Sequence, residues 1–546
     1  MAIRASQRTS HPFSQFSWLN SARFGNFKRY RGRSCRGLLA GPGDQTENRT
    51  ARMILLLTIP LYLTPPAHAD DLNPRAVDAL IEHALKRWHV PGVAVAIVRG
   101  DKVIYLKGHG VRSVEKGAPV TPDTLFPIAS CTKSFTTAAM ALLIDEGKMR
   151  WDDPPQKYVP YFHLSDPLVD REVTLRDLVT HRTGLRDHRL MWYRSPWTPE
   201  ERIRRFAHLP LDKPFRTAFQ YQSTMFTVAG LAVAKASGLS WADFVQKRLL
   251  DPLDMKATHF TTTEIAGLAD KAYPHQLDAE KKPRLIGWYP METPEPAGSI
   301  HSNARDLAKW LLFQLNNKII EGRPLISAHN LEAMHTPQVI IPMDAIDRIE
   351  FPGTNQMSYG MGWVIQDHFG HRLLQHAGAI DGFRCHFTLV PKCRLGIVLL
   401  CNLHQTRMNI ALSNSLLEML LGLPPHDWNA IVTEAQHRDE EEAKQKEREK
   451  QKHRHFDTRP SRELAGYTGA YEHPAYGTVR IRLENGRLIW QWQRWRAALE
   501  HYHYDTFLLP IEDMGKPLVV FTLDAKGAAA RMKVLGDLGV EFKRSR

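Results

Sequence analysis

Residues 433–462 contain one Phe and two Ala; the rest are charged or polar apart from a single Pro. Such a stretch cannot run through a hydrophobic core, so the chain is expected to fold as separate units on either side of it. At 546 residues the chain is also too long for one ordinary core. Glu440 with Lys444 and Glu442 with Lys446 have the spacing that supports an exposed helix. The expected division is a leader and signal over 1–69, a large domain over 70–432, a solvated helical linker over 433–462, and a small β domain over 463–546.

The net charge of +14 is unevenly placed. Ten Lys or Arg against two acidic residues put +8 of it in residues 1–69, and the remainder is dispersed. With no basic module interleaved with aromatics, that charge implies no nucleic-acid partner. Arg49 and Arg52 precede an apolar run over 53–63 and then Ala67-His68-Ala69. This order reads as a secretory signal cleaved after Ala69, which directs the mature protein to the periplasm or outside the cell. The run is too short for a usual membrane span, so no stable span is expected, an uncleaved anchor being the rival reading. Cys131, Cys385, Cys393 and Cys401 make no dense disulfide framework. The cysteines are expected to be buried free thiols, the alternative being an approach of Cys385 and Cys401 across a hairpin.

"RAVDALIEHALKRW" is apolar at helical spacing, and "GVAVAIVRGDKVIYLKGHG" gives two β-rich runs about the turn Arg99-Gly100-Asp101. "TTAAMALLIDEG" continues a long apolar helix to about Gly147, and further helices are predicted at 174–181, 224–237 and 304–316. Strands are predicted at 361–366, 383–390 and 394–401. Strands first, helices in the middle and strands last predict an α+β domain whose sheet takes its edges from both ends, with a helical insertion between. Past the linker, "GTVRIRLENGRLIWQWQ" alternates about Asn485-Gly486, a hairpin signal, and short strands to residue 543 predict a small barrel or sandwich.

Two Ser-x-x-Lys pairs compete for chemical meaning. Ser113 and Lys116 lie in the polar stretch "GVRSVEKGAP", whereas Ser130 and Lys133 in "FPIASCTKSF" open the apolar helix. There the lysine amine can reach the serine hydroxyl, and helix N-terminal amides favour a developing anion. A serine needs a base to become nucleophilic, and a desolvated lysine has its pKa lowered enough to serve.

With "SCTK" go "TLRDLVTHRTGL" at 174–185, "FQYQST" at 219–224, "PAGSIHSNARDLAKW" at 296–310, "YGMGW" at 359–363 and "HAGAIDGF" at 376–383. In this order and spacing the chain resembles the serine β-lactamase and penicillin-binding protein superfamily, nearest its class C-like branch, over roughly 74–425. The resemblance implies an antiparallel sheet flanked by helices with a helical subdomain. It makes Ser130 the acylated nucleophile, Lys133 its base, and Tyr221 a second proton-transfer group with its phenol pKa lowered by the nearby ammonium. Ser223 stands where the family has an asparagine that binds the substrate amide, a shorter replacement that weakens the expectation of amide or lactam cleavage. His376-Ala377-Gly378 replaces Lys-Thr-Gly on an edge strand. His376 is expected to titrate near neutral pH while binding a substrate carboxylate or aiding the relay, and Gly378 to admit substrate backbone. The backbone amides of Ser130 and Ala379 map onto the oxyanion hole. A second His-x-Gly, His368-Phe369-Gly370, lacks the following "GAIDGF".

The expected activity is hydrolysis of small esters or peptides through an acyl-enzyme, as in a carboxylesterase, D-aminopeptidase or DD-carboxypeptidase, with lactam cleavage among the outcomes and no cofactor. The small β domain is expected to cover the cleft and restrict substrate size. One alternative is a penicillin-binding-like protein that has lost turnover. Another is a metallohydrolase built on His453, His455 and Asp457 or on His501, His503 and Asp505, spacings that on a strand place a trio on one face.

Overall fold

The computed structural model describes residues 72–320, 322–536 and 538–545; the leader and its expected cleavage site lie outside them. Strand β1 (Gly92–Arg99) is buried along almost its whole length, whereas β2 (Lys102–Gly110) is largely exposed. An unbroken apolar run thus becomes a central strand and a mixed one becomes an edge. With β3 (Val339–Ile341), β4 (Met357–Tyr359), β5 (Val364–His368), β6 (His371–Ile380), β7 (Phe383–Val390) and β8 (Leu395–Cys401) they form one sheet in the order β2-β1-β8-β7-β6-β5-β4-β3. Every pairing in it is antiparallel.

The two ends of the domain meet inside this sheet, Val93 of β1 lying opposite Cys401 of β8. One edge, β2, comes from the N-terminal end as expected; the other, β3, comes from mid-chain. Cys385 and Cys401 do not approach as a bridging pair. Cys385 lies opposite Leu400 and Cys401 opposite Arg384, so their side chains leave opposite faces of the sheet, and both are free thiols.

One face is covered by α1 (Pro74–Trp88) and, after the sheet, by the apolar helix Met408–Leu421. Helix α1 starts cleanly because the Asn73 side chain accepts from the Arg75 and Ala76 amides and Pro74 sits where its missing N–H costs nothing. The other face packs α2 (Thr132–Asp145), α3 (Thr224–Ser237) and α4 (Ala304–Asn316). Helix α2 is buried on nearly every side, which is how a lysine in its first turn comes to lie inside the core.

The charged run is helical only as far as Lys452, in one long helix, Trp428–Lys452, whose beginning is docked rather than solvated; residues 453–462 continue without helix. Trp428, Val432, Ala435 and Asp439 are buried, and Arg407 bridges Glu350 at 3.2 Å and Asp439 at 2.9 Å. Farther along, Lys446 pairs with Glu442, while Lys444 takes Glu441 rather than Glu440.

The C-terminal residues form a nine-stranded antiparallel sheet. Its edge strands, Trp495–Ala498 and Glu500–His503, are separated only by Leu499, so the sheet curls into a nearly closed barrel. Asn485 and Gly486 both adopt positive φ, the geometry of a two-residue hairpin turn. The barrel interior, with Tyr471, Trp490, Phe521 and Phe542, belongs to the same apolar cluster as the core around α2, α3 and α4 of the large domain, and Trp197 packs edge-on against Trp492. A truncation before 463 would expose this shared surface. Among the described residues no single helix is long and apolar enough to cross a membrane.

Candidate active site

The chain enters the site through Phe126–Pro127 and a 3₁₀ turn, Ala129–Cys131, that runs directly into α2. Ser130 therefore sits in the tight turn before α2 rather than in the α-helix itself. Ala129 carries φ +45°, a strained conformation for a residue with a Cβ, which this turn holds beside Ser130. Lys133, wholly buried, places Nζ 3.0 Å from Ser130 Oγ and donates to the Ala297 carbonyl at 3.0 Å. From the segment before α3, the Tyr221 hydroxyl donates to the same Ser130 Oγ at 3.0 Å. Three side chains scattered along the sequence thus converge on one oxygen.

Burial drives the Lys133 pKa from its usual 10.5 down to about 7, against the opposing pull of the Asp187 and Glu295 carboxylates. At neutral pH a substantial fraction is the free amine, able to accept the serine proton. The Ala297 carbonyl takes one N–H and so helps turn the lone pair toward Ser130. Tyr221 corrects the sequence-based expectation. Burial raises its pKa, and the Asp187 charge raises it further, so Tyr221 is a neutral hydrogen-bond donor rather than an acidified phenol.

His376 also differs from expectation. It is fully buried; Nδ1 lies 2.8 Å from the Ala377 carbonyl and Nε2 3.0 Å from the Tyr359 hydroxyl. A carbonyl can only accept, so Nδ1 carries the proton and Nε2 accepts from Tyr359. Burial and the Lys133 charge push its pKa down to about 3. The ring is a neutral spacer tied to Tyr359, not a group that titrates near pH 7 or meets a substrate carboxylate.

Gly378 has a different reason from the one its sequence suggested. A Cβ there would meet the Ile128 carbonyl oxygen at 2.0 Å, so the glycine admits the backbone of the Ser130 turn rather than substrate. Beyond Gln375, β6 has lost its β5 neighbour, and residues 376–380 pair only with β7. This open edge faces the Ser130 turn, and the Cys131 thiol donates to the His376 carbonyl at 3.2 Å. Ala379, on the same edge, is partly exposed, while Ser223 is buried with its amide donating to Asp187.

The competing motifs are separated from the site by their own contacts. Ser113 Oγ closes a turn by accepting from the Glu115 and Lys116 amides, and Lys116 reaches Tyr273 instead of Ser113. His368 packs against Phe369 and Trp428. His501 bonds the Tyr504 carbonyl, and Asp505 accepts from Ser461 and Tyr467. Among the described residues no three His, Cys, Asp or Glu side chains converge to hold a metal.

Several contributors escaped the sequence reading. The landmark "HRTGL" supplies His181, whose Nδ1 accepts the Gln222 amide at 3.1 Å and whose ring lies against Tyr221 and Tyr359. "PAGS" supplies the Ala297 carbonyl, and "YGMGW" supplies Tyr359 and places Gly362 against the Lys133 backbone. Asp187 is visible in the sequence only as one charge among several in "RDHR".

A family model described as Beta-lactamase matches residues 77–417, and one described as Domain of unknown function (DUF3471) matches 453–545. An unguisins hydrolase from Aspergillus campestris is 27% identical over 434 residues, covering 75% of this chain and 77% of that protein. Protein flp from Staphylococcus aureus is 26% identical over 340 residues, covering 61% of this chain and 64% of that protein. Among solved structures, an octameric penicillin-binding protein homologue from Pyrococcus abyssi superposes with a TM-score of 0.57 at 21% identity, covering 86% of this chain and all of that one. D-amino acid amidase from Ochrobactrum anthropi superposes with a TM-score of 0.51 at 25% identity, covering 64% of this chain and 97% of that one.

Proposed function

Because the chain belongs to the beta-lactamase family and is a serine hydrolase of the β-lactamase and penicillin-binding type, we propose that it cleaves small esters or peptides through an acyl-enzyme on Ser130. The observation that carries this reading is the convergence of Lys133 Nζ and the Tyr221 hydroxyl on Ser130 Oγ, each at 3.0 Å, with the lysine poised at about 7. Neutral Lys133 takes the Ser130 proton as Oγ bonds to the substrate carbonyl carbon, and the amides of Ser130 and Ala379 hold the oxyanion. Collapse of the tetrahedral species breaks the bond to the leaving group, which receives the proton from the Lys133 ammonium by way of Tyr221. Water then adds to the acyl carbonyl, its proton passing to Lys133, and Ser130 is regenerated when it recovers that proton.

The substrate is proposed to be small, an aminoacyl ester or amide, D-residues included. A relative named as a D-amino acid amidase supports acyl transfer from an amide, and one named as an unguisins hydrolase supports hydrolysis. Ser223, short and with its amide engaged by Asp187, also supports a second reading, a protein that acylates and scarcely turns over. The basic, apolar and small-residue order over residues 49–69 supports export to the periplasm or beyond.

A fluorophosphonate, a penicillin, p-nitrophenyl esters, and D- and L-aminoacyl amides separate these readings. The expected result is a fluorophosphonate adduct on Ser130 by mass spectrometry and turnover of at least one ester or aminoacyl amide, both lost in Ser130→Ala. A stable adduct without turnover would favour the non-hydrolytic reading. No adduct with either reagent would remove the proposal.

A further inference from the structure

Residues 186–189 bridge the two folded units, and consecutive side chains hold different things. Arg186 donates to the Leu538 carbonyl at 2.8 Å, His188 Nδ1 lies 2.7 Å from the Tyr476 hydroxyl, and Arg189 donates to the Asp513 carbonyl. All three partners belong to the C-terminal barrel. Asp187, in their midst, is directed at the catalytic side instead. Its Oδ1 accepts the Ser223 amide at 3.0 Å, and the carboxylate also takes the Trp192 indole N–H at 3.2 Å. Gln222 fastens the same turn by donating to the Arg186 carbonyl at 2.9 Å. The segment Tyr221-Gln222-Ser223, which delivers the phenol to Ser130, is therefore zipped to a turn that the barrel grips.

We propose that Asp187 is a positioning residue for Lys133 and Tyr221, and that the C-terminal barrel acts on catalysis through it by clasping residues 186–189. The inference rests on the reading of Ser130 as the acylated nucleophile. The negative charge of Asp187 favours the protonated form of Lys133. The other groups facing that amine are Glu295, Cys131, His181, His376 and the neutral Tyr221; Asp187 itself also feels Arg189. A carboxylate there steadies the ammonium formed when Lys133 takes the serine proton. Burial lifts the Asp187 pKa, while the Ser223 amide and Lys133 draw it back down. The clasp fixes how near that charge stands.

The test is the rate of Ser130 labelling by a fluorophosphonate as a function of pH, on the full chain, for wild type, Asp187→Asn, Tyr476→Phe and the double variant. Asn keeps an Oδ1 that can accept the Ser223 amide and the Trp192 indole N–H, and it removes the charge together with one acceptor oxygen. Losing the carboxylate weakens the hold of Lys133 on its proton, so the acid limb is expected to move about one pH unit toward acid, with the alkaline plateau down roughly tenfold. Asp187→Glu, which restores the charge, is expected to return the limb toward wild type. Tyr476→Phe removes one clasp hydroxyl and is expected to move the limb in the same direction with a roughly threefold rate loss, and to add nothing in the Asp187→Asn background. An unmoved acid limb in Asp187→Asn would overturn the role of Asp187. A Tyr476→Phe effect that is absent, or equal in both backgrounds, would overturn the action of the barrel through it. Wild type that labels nowhere would overturn the hydrolase reading instead, so the two failures are told apart.

Discussion

Replacing Lys133 with Met is expected to slow acylation of Ser130 by about three orders of magnitude, within the range a positioned general base supplies, without lowering thermal stability at neutral pH. The two halves of this result have one cause. Lys133 is fully buried in the first turn of α2, and burial lowers its pKa to about 7 from the usual 10.5. The unfolded chain therefore binds that proton more tightly than the folded chain does. Stability contributed at this residue is lost as pH falls from about 10.5 to about 7 and stays lost below, a matter of a few kcal/mol. Met fills a similar volume and never charges, so that loss disappears. Against it stands the Ala297 carbonyl, which loses its Lys133 donor at a cost of about 1–3 kcal/mol. Calorimetry at pH 7 is expected to give an equal or higher melting temperature, and fluorophosphonate labelling a near-complete loss. In wild type the labelling rate should fall about tenfold per unit below pH 7, the limb that a neutral-lysine base dictates. Arg at this position should not rescue, because its guanidinium does not give up a proton in this range. A Met variant that melts clearly lower while retaining most of its labelling would make Lys133 a structural group and sink the mechanism.

The parts legible in the sequence were those set by local chemistry. Helices α3 and α4 match their expected spans because each run has readable ends: Asn303 caps the Asp306 amide, and Gly238 closes α3 in the left-handed region. Ser130 and Lys133 were legible because an apolar helix around a lysine forces the question of what that lysine does. The short strands β3 and β4 were not, since three residues beside prolines and glycines carry no period. Burial of His376 was equally hidden. It depends on Tyr359 from a different strand and on Lys133 from a distant helix, so a His in a β-rich stretch looked like a pH-7 group and is held neutral instead. Asp187 was hardest of all. In "RDHR" every residue is polar, and nothing local marks which one turns to the Ser223 amide while its neighbours contact strands and turns that begin far downstream.

A single methyl group at Gly378 is expected to do comparable damage by a different route. The Cβ of Gly378→Ala would lie 2.0 Å from the Ile128 carbonyl oxygen, 2.9 Å from its carbon and 3.3 Å from the Cys385 Cβ. Backbone cannot swing aside as a side-chain tip can, and this carbonyl also accepts the Cys131 amide at 3.1 Å, the bond that forms the turn around Ser130. Overpacking of this kind typically costs about 1–3 kcal/mol and is relieved only by moving the strand or the turn. Moving the turn shifts Ser130 relative to Lys133 and Tyr221, and displacement of about 1 Å at a reacting group can cost roughly a hundredfold in rate. Gly298 provides the contrast on the opposite side of the same turn. A Cβ there meets Ala129 no nearer than 3.6 Å, so Gly298→Ala should leave melting temperature and labelling close to wild type. Thermal melts and fluorophosphonate labelling of the two alanine variants read both consequences. If Gly378→Ala matched Gly298→Ala in both, strand β6 would not press on the nucleophile's turn, and the glycine would return to the substrate-facing role its sequence suggested.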